Sequence, residues 1–366
     1  MQITGAVLET SGADAPFAQS RPFTVSTLEL DPPGQGELLV RIEAAGVCHS
    51  DLSVVDGNRV RPTPMLLGHE AAGIVEEIGA GVDDVRVGDR VVMTFLPRCG
   101  SCSGCATDGR LPCEIGAAAN GAGSLVGGGM RLHRNGSDVF HHLGVSGFAS
   151  HAVVSRTSVV GVPADVPAEI AALLGCAVLT GGGAIINAGR PTPGSTVAVV
   201  GLGGVGMAAL LVAQALGHPV IGVDMVADKL ALARELGAAQ AITPTEAIDR
   251  GLRAPVVVEA AGSARAFETA FALTAPGGTT VTVGLPAPQA VSTISPLTLT
   301  AEARTVIGSY LGSAVPERDI PTYVDLWRDG KLPLERLVSS RIRLEDLNGA
   351  MDALAAGSEL RQLITF

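Results

Sequence analysis

Aromatic side chains are scarce in this chain: 3% of 366 residues, with one Trp and two Tyr. A core of large rings is excluded, so Val, Leu, Ile and Ala must fill it. Positive charge is also short, since 25 Lys and Arg face 36 Asp and Glu for a net charge of −11. That balance excludes a nucleic-acid partner, whose affinity comes from basic groups on phosphates. It equally excludes docking on an anionic membrane surface. The start, Met-Gln-Ile-Thr-Gly-Ala-Val-Leu, has neither a basic region nor a long apolar stretch. No secretory signal is read, and a cytoplasmic protein is expected. No repeat period is visible. What is present is 47% hydrophobic and 17% charged, a globular composition. The length exceeds what one core usually serves, so two domains are expected.

One stretch invites a membrane reading. Val197 to Gly217 carries no charge over 21 residues. Four glycines, Gly201, Gly203, Gly204 and Gly206, interrupt it where a tight turn belongs, and the flanks lack aromatic and basic anchors. A buried strand and helix of a parallel sheet explain it better. Around it the rhythm is that of a doubly wound sheet. Strand-like runs are Thr196–Val200, Pro219–Asp224, Ala241–Thr243, Pro255–Glu259, Thr279–Gly284 and Thr305–Ser309, with helical patterns such as 228–237 between several of them. Before about residue 175 the chain reads as β-rich, with alternating segments at Glu37 and Asp89. Residues 114–150, glycine-rich with little periodicity, read as a long surface excursion. His133, His141, His142, His151 and His218 belong to no motif and read as surface or packing residues.

The segment Val197-Ala-Val-Val-Gly-Leu-Gly-Gly-Val-Gly206 runs from a strand through G-x-G-x-x-G into a helix. Gly201 permits the tight turn, Gly203 lets a pyrophosphate approach the backbone, and Gly206 lets helix and strand pack closely. The amides of Gly204 and Val205 then face the pyrophosphate at the helix N-terminus. Asp224 ends the next strand, 18 residues past Gly206. A carboxylate there binds ribose hydroxyls and repels a 2′-phosphate, and no Arg follows it, so NAD is expected over NADP. Lys229 is placed to reach the adenosine ribose.

All six cysteines fall into two groups. Four form Cys99-x2-Cys102-x2-Cys105-x7-Cys113. A ferredoxin-type cluster would close with a spacing of about three and a proline. Here Glu114 follows, and a closed four-thiolate zinc site is the better reading. Cys48 and Cys176 stand alone, and a buried structural cysteine is the ordinary reading of each by itself.

Several segments together resemble the zinc-containing alcohol dehydrogenases of the medium-chain dehydrogenase/reductase superfamily. They are Gly46-Val-Cys-His-Ser-Asp51, Gly68-His-Glu-Ala-Ala-Gly73, Val87-Gly-Asp-Arg-Val91, the cysteine cluster, Leu174-Gly-Cys176, the glycine motif, and Leu360-Arg-Gln-Leu-Ile-Thr-Phe366. The resemblance covers nearly the whole chain. It implies an α/β protein: a GroES-like β-rich catalytic domain over 1–177 and 313–366, with a structural zinc lobe at about 95–114, and a Rossmann domain over 178–312. It implies two Zn²⁺ per chain, the catalytic one held by Cys48, His69 and Cys176. Glu70 is then the carboxylate behind the metal, Asp51 the partner orienting His69, and Ser50 the hydroxyl that meets the alcohol. Thr180 is placed at the nicotinamide, Arg361 at the pyrophosphate and Phe95 in the substrate pocket wall.

The activity implied is hydride transfer between a primary alcohol and NAD, giving the aldehyde, with an aromatic or medium-chain aliphatic alcohol favoured. The alternatives are a nicotinoprotein that keeps its NAD bound and a thiol-adduct formaldehyde dehydrogenase. A non-catalytic cofactor-binding protein should have lost zinc ligands, and none is missing. Partners are thus a small-molecule alcohol or aldehyde and further copies of the chain, as a dimer or tetramer, with neither nucleic acid nor membrane. Two departures from the family pattern stand out. His49 occupies a position that is Arg in many relatives, and is expected as a weaker pyrophosphate contact. Ser53 occupies a position where many relatives end a proton relay with His.

Overall fold

The computed structural model describes all 366 residues. They divide into two compact units, Met1–Cys176 with Val338–Phe366, and Ala177–Leu337.

In the first unit the organising element is the strand Glu37–Val47, apolar along nearly its whole length and buried on both faces. It pairs antiparallel with Ala71–Ile78, His151–Ser155 and Gln362–Thr365. A seven-stranded sheet results, extended by Arg90–Met93, Val159–Val162 and Ser340–Ile342. A second, six-stranded sheet is built on Gln2–Leu8 and Phe23–Leu30. Its core joins Ile3, Val7, Leu28 and Leu30 to Leu125, Leu132, Val139 and Ala149. Residues 114–150 are therefore no surface excursion. They hold a helix, Glu114–Ala122, a hairpin pairing Leu132–Arg134 with Ser137–Asp138, and a strand, Phe140–His141, inserted beside Met65–Leu66. Glycines break the apolar periodicity there, but the apolar residues between them are core.

The second unit carries six parallel strands in the order Gln240–Ile242, Val220–Val223, Val197–Val200, Ala254–Glu259, Thr274–Thr282, Thr305–Gly308. In chain order this is 3-2-1-4-5-6, the dinucleotide-binding arrangement. Ala198, Val200, Ile221, Val223 and Val257 make the core, as expected of strands covered on both sides. The charge-free run at 197–217 is the first strand and the helix Gly204–Ala215, both buried in this unit. A different helical run, Ala168–Gly189, is long and apolar enough to cross a membrane, but 89% of its most apolar window is buried within the protein.

The boundary expected at 313 falls instead at Val338. Residues 313–337 include the helix Pro316–Arg328, whose buried Asp319 accepts hydrogen bonds from Asn187 Nδ2 and from Val315 N, both at 3.0 Å. The Asn187 bond ties the segment to the nucleotide-binding unit, and no composition shift advertises it.

Candidate active site

Two strand ends bring the first two ligand candidates together. Glu37–Val47 delivers Cys48 at its end, and Ala71–Ile78 starts just after His69 and Glu70. Their register pairs Ala45 with Ala71, and Gly46 N donates to Glu70 O at 2.7 Å. A Cβ at Gly46 would sit 2.4 Å from Glu70 Oε1, so any other residue there would push the Glu70 side chain aside. Cys48 caps the helix His49–Val55, where Asp51 Oδ2 accepts from Cys48 N at 3.1 Å. Cys176 arrives in a wide π-type turn, Leu174–Val178, a distortion common at functional sites. The ligand atoms of Cys48, His69 and Cys176 all lie within 4.8 Å of one another, and all three residues are buried. Cys176 Sγ is 3.5 Å from His69 Nε2. The Cys48 thiol is held well below its usual range, first by the hydrogen bond from Cys176, then, against the cost of burial, by the charges of Arg361 and His69. A thiolate is the form a metal binds.

Behind the cluster two carboxylates, Asp51 and Glu70, are fully buried. Asp51 Oδ1 lies 3.0 Å from His69 Nδ1, which leaves Nε2 turned toward the cysteines. Neither oxygen of Glu70 has a hydrogen-bond partner, although the residue is 0% exposed. Burial pushes its carboxyl up to about 7, against the pull of Arg361. Two thiols and an imidazole, with a carboxylate behind them that accepts no hydrogen bond, form a donor set that fits zinc with one position left open. Phe95 stands edge-on to His69, ring centroids 5.4 Å apart. Ser50 is half-buried beside Asp51.

Arg361 is 3% exposed, donates through Nη1 to Val47 O at 3.3 Å and lies 3.4 Å from Glu70 Oε2, while its Nε has no hydrogen-bond partner. His142 was missed by motif reading. It is buried, its ring is edge-on to His69 at 5.6 Å, and its Nδ1 is 3.4 Å from Asp51 Oδ1. No local signal marks it, because the contact spans 91 residues of sequence, from Asp51 to His142. Ser53 Oγ donates to His49 O at 2.9 Å, within its own helix. His49 is exposed at the start of that helix.

The second cysteine group is equally well gathered. Cys99 Sγ and Cys105 Sγ are 3.9 Å apart, as are Cys102 Sγ and Cys113 Sγ. Thiolates arranged tetrahedrally about zinc would stand about 3.8 Å apart. Amides of Cys99, Cys105, Glu114 and Gly116 donate to sulfur at 3.3–3.4 Å. Hydrogen bonds from the Ser101 backbone and hydroxyl bring Cys99 down to about 6, while burial first, and then hydrogen bonding to Cys102, pushes Cys105 up to about 12. Four thiolates repel one another unless a cation joins them, and this set fits a closed zinc site.

In the second unit the glycine motif has the geometry its spacing implies. Gly201 turns at φ +92°, and a Cβ on Gly206 would lie 1.7 Å from Gly201 O. At Gly203 a Cβ would meet no protein atom within 4 Å. The protein leaves that space open, which is the cradle a pyrophosphate requires. Gly204 and Val205 start the helix Gly204–Ala215. Asp224 Oδ2 accepts from Leu202 N at 2.7 Å and Oδ1 from Val226 N at 2.9 Å, so the carboxylate is fixed against the glycine turn. Each of its oxygens retains a lone pair for a ribose hydroxyl. Lys229 is half-buried in the helix Ala227–Glu235, and Thr180 is buried in the helix Leu179–Gly183.

Comparison with known proteins agrees. Residues 34–164 match the alcohol dehydrogenase GroES-like domain, and residues 204–329 match the zinc-binding dehydrogenase domain. The NDMA-dependent alcohol dehydrogenase of Amycolatopsis methanolica is 36% identical over 375 residues, covering 100% of this chain and 99% of that one. Among solved structures, an alcohol dehydrogenase zinc-binding domain protein from Burkholderia ambifaria superposes with a TM-score of 0.92 at 33% identity, covering 100% of this chain and 99% of its own. The benzyl alcohol dehydrogenase of Acinetobacter calcoaceticus gives 0.91 at 32%, with the same coverage. With two zinc-type donor sets, a dinucleotide fold and likeness over its whole length, the chain belongs to the zinc-containing alcohol dehydrogenases of the medium-chain dehydrogenase/reductase superfamily and is an oxidoreductase.

Proposed function

We infer that the protein interconverts a primary alcohol and its aldehyde with NAD, aromatic or medium-chain aliphatic alcohols being preferred. The observation that carries this reading is the buried convergence of Cys48, His69 and Cys176, a three-donor set with one position open. Zinc held there supplies a Lewis acid that makes the alcohol hydroxyl more acidic, and NAD supplies the hydride acceptor. The chain's own residues do the rest. Asp51 keeps His69 in the tautomer that offers Nε2. Ser50 accepts a hydrogen bond from the alcohol hydroxyl and relays its proton by giving up its own as that one arrives. Ser53 is bonded back to its helix, so the proton leaves by the cofactor ribose or by water. Phe95 contributes an apolar wall. Asp224 selects the ribose 2′-hydroxyl, and His49 touches the pyrophosphate with less charge than an Arg would bring. Thr180 lies at the nicotinamide. Cys99, Cys102, Cys105 and Cys113 hold a second zinc, making two per chain. The enzyme is expected to be cytoplasmic and to assemble as a dimer or tetramer.

The name of the Amycolatopsis relative favours a second reading, in which NAD stays bound and another acceptor takes the electrons. A single assay series separates the two. NAD reduction is followed with ethanol, hexanol, benzyl alcohol and a terpene alcohol, beside the Cys48→Ala variant. Turnover lost in that variant supports the exchanging enzyme and ranks the substrates. Silence from protein with two zincs per chain, together with a nicotinamide absorbance released on denaturation, supports the bound-cofactor enzyme. Silence with no released cofactor, overcome by formaldehyde plus a thiol, supports a thiol-adduct dehydrogenase.

A further inference from the structure

His142 is the one buried histidine beside the candidate zinc ligands to which neither the motifs nor the proposed chemistry gives work. Asp51 explains why it is there. This carboxylate is 0% exposed, and a buried anion is tolerated only when donors surround it. Oδ2 receives Cys48 N at 3.1 Å. Oδ1 faces three nitrogens: His69 Nδ1 at 3.0 Å, Gly68 N at 3.3 Å and His142 Nδ1 at 3.4 Å. His142 Nδ1 is off the ideal hydrogen-bond direction to Asp51 and has no other partner, so the carboxylate is the acceptor it faces. Its placement comes from the short strand Phe140–His141, which lies parallel to Met65–Leu66 and so follows the same course that leads to His69. The two rings then meet edge to face.

We propose that His142 is a positioning residue for the catalytic metal: its Nδ1–H supports Asp51 at Oδ1, the oxygen that Cys48 N leaves free, and Asp51 in turn fixes the ring of His69. The chain of support is His142 to Asp51 to His69 to zinc. This rests on the reading of Cys48, His69 and Cys176 as zinc ligands, and it adds an outer partner to the one that resemblance implied. Outer partners of metal-bound imidazoles usually carry a tenfold to hundredfold effect on affinity.

The experiment measures metal release from the intact protein with a colorimetric chelator, and cobalt spectra after exchange of the catalytic metal. His142→Phe keeps a ring and removes the donor. His142→Asn keeps an N–H near the Nδ1 position. Wild type should release its two zincs in separate phases, the catalytic phase being identified by its loss in Cys48→Ala. In His142→Phe that phase should quicken roughly tenfold and the cobalt bands should shift, with the four-cysteine phase unchanged. His142→Asn should restore most of the wild-type rate. If His142→Phe folds poorly, its four-cysteine phase will change as well, and His142→Gln, which keeps polarity but moves the N–H, replaces it with the same expectation. Equal catalytic phases in wild type, Phe and Gln variants would overturn the proposal. So would a third metal per chain lost in the variants, since Asp51, His69 and His142 would then be ligands of that ion. A wild type with no phase sensitive to Cys48 would instead overturn the zinc-ligand reading itself.

Discussion

At the scale of single residues, Ser50 and His141 make separable claims. Ser50 touches the reacting hydroxyl in the proposed chemistry but holds no part of the cluster together. Ser50→Ala should lower alcohol turnover by roughly a hundredfold or more, as loss of a proton-transfer group does, with zinc content unchanged by elemental analysis. His141 is structural. Its Nε2 accepts from Arg131 N at 3.1 Å and its Nδ1 meets Ser146 Oγ at 3.4 Å, so the ring is neutral. Burial first, then the charge of Arg131, pulls it from 6.5 down to about 3. A histidine with a depressed folded-state value contributes stability that is present above its unfolded value and lost as pH falls toward the folded one. Between 6.5 and about 3 the unfolded chain binds one proton that the folded chain refuses. His141→Gln, which keeps an acceptor for Arg131 N, should flatten the fall of stability in that window by about 1.4 kcal/mol per pH unit, read from urea unfolding at several pH values. The roles of these residues were unequally legible. His69 and Cys48 sit in short motifs, but nothing in their spacing joins them to Cys176, and only the resemblance did. His142 was invisible because its partner is distant in sequence. The pairing of Arg361 with Glu70 was equally invisible, since it is set by strand pairing and not by the neighbours of Arg361 in sequence.

At the scale of elements, the glycine turn offers a contrast that separates fold from ligand. Gly206→Ala forces a Cβ to 1.7 Å from Gly201 O and should break the close packing of strand on helix. A loss of about 2 kcal/mol or more is expected, visible as a drop of roughly 5 °C in Tm. Gly203→Ala meets no protein atom within 4 Å, so Tm should stay unchanged while NADH binding, followed by fluorescence, weakens at least tenfold. A large Tm loss in Gly203→Ala would mean that the open space belongs to the fold and not to a cofactor. The six strands of this sheet were legible because each is a short β-branched run set between turn signals. Their lateral order follows from the handedness and packing of βαβ units. The helix Pro316–Arg328 was assigned to the wrong unit, because its attachment runs through Asn187 and Asp319, two polar side chains that no periodicity reports.

At the scale of the whole molecule, the two cysteine groups should behave as independent metal stores. Elemental analysis should give two zincs per chain, one in Cys48→Ala and one in Cys102→Ser. Only the Cys102→Ser protein should become sensitive to protease near residues 95–114, where the thiolates are the main cross-link. The first unit is also closed by its own late sequence. Gln362–Thr365 lies against Ala44–Val47, with Arg361 reaching Val47 across 314 positions. On the ribosome, Cys48 and His69 therefore emerge long before the strand that backs them, and a nascent chain stalled between residues 177 and 361 holds every candidate metal ligand but lacks the Gln362–Thr365 strand that lies beside Cys48.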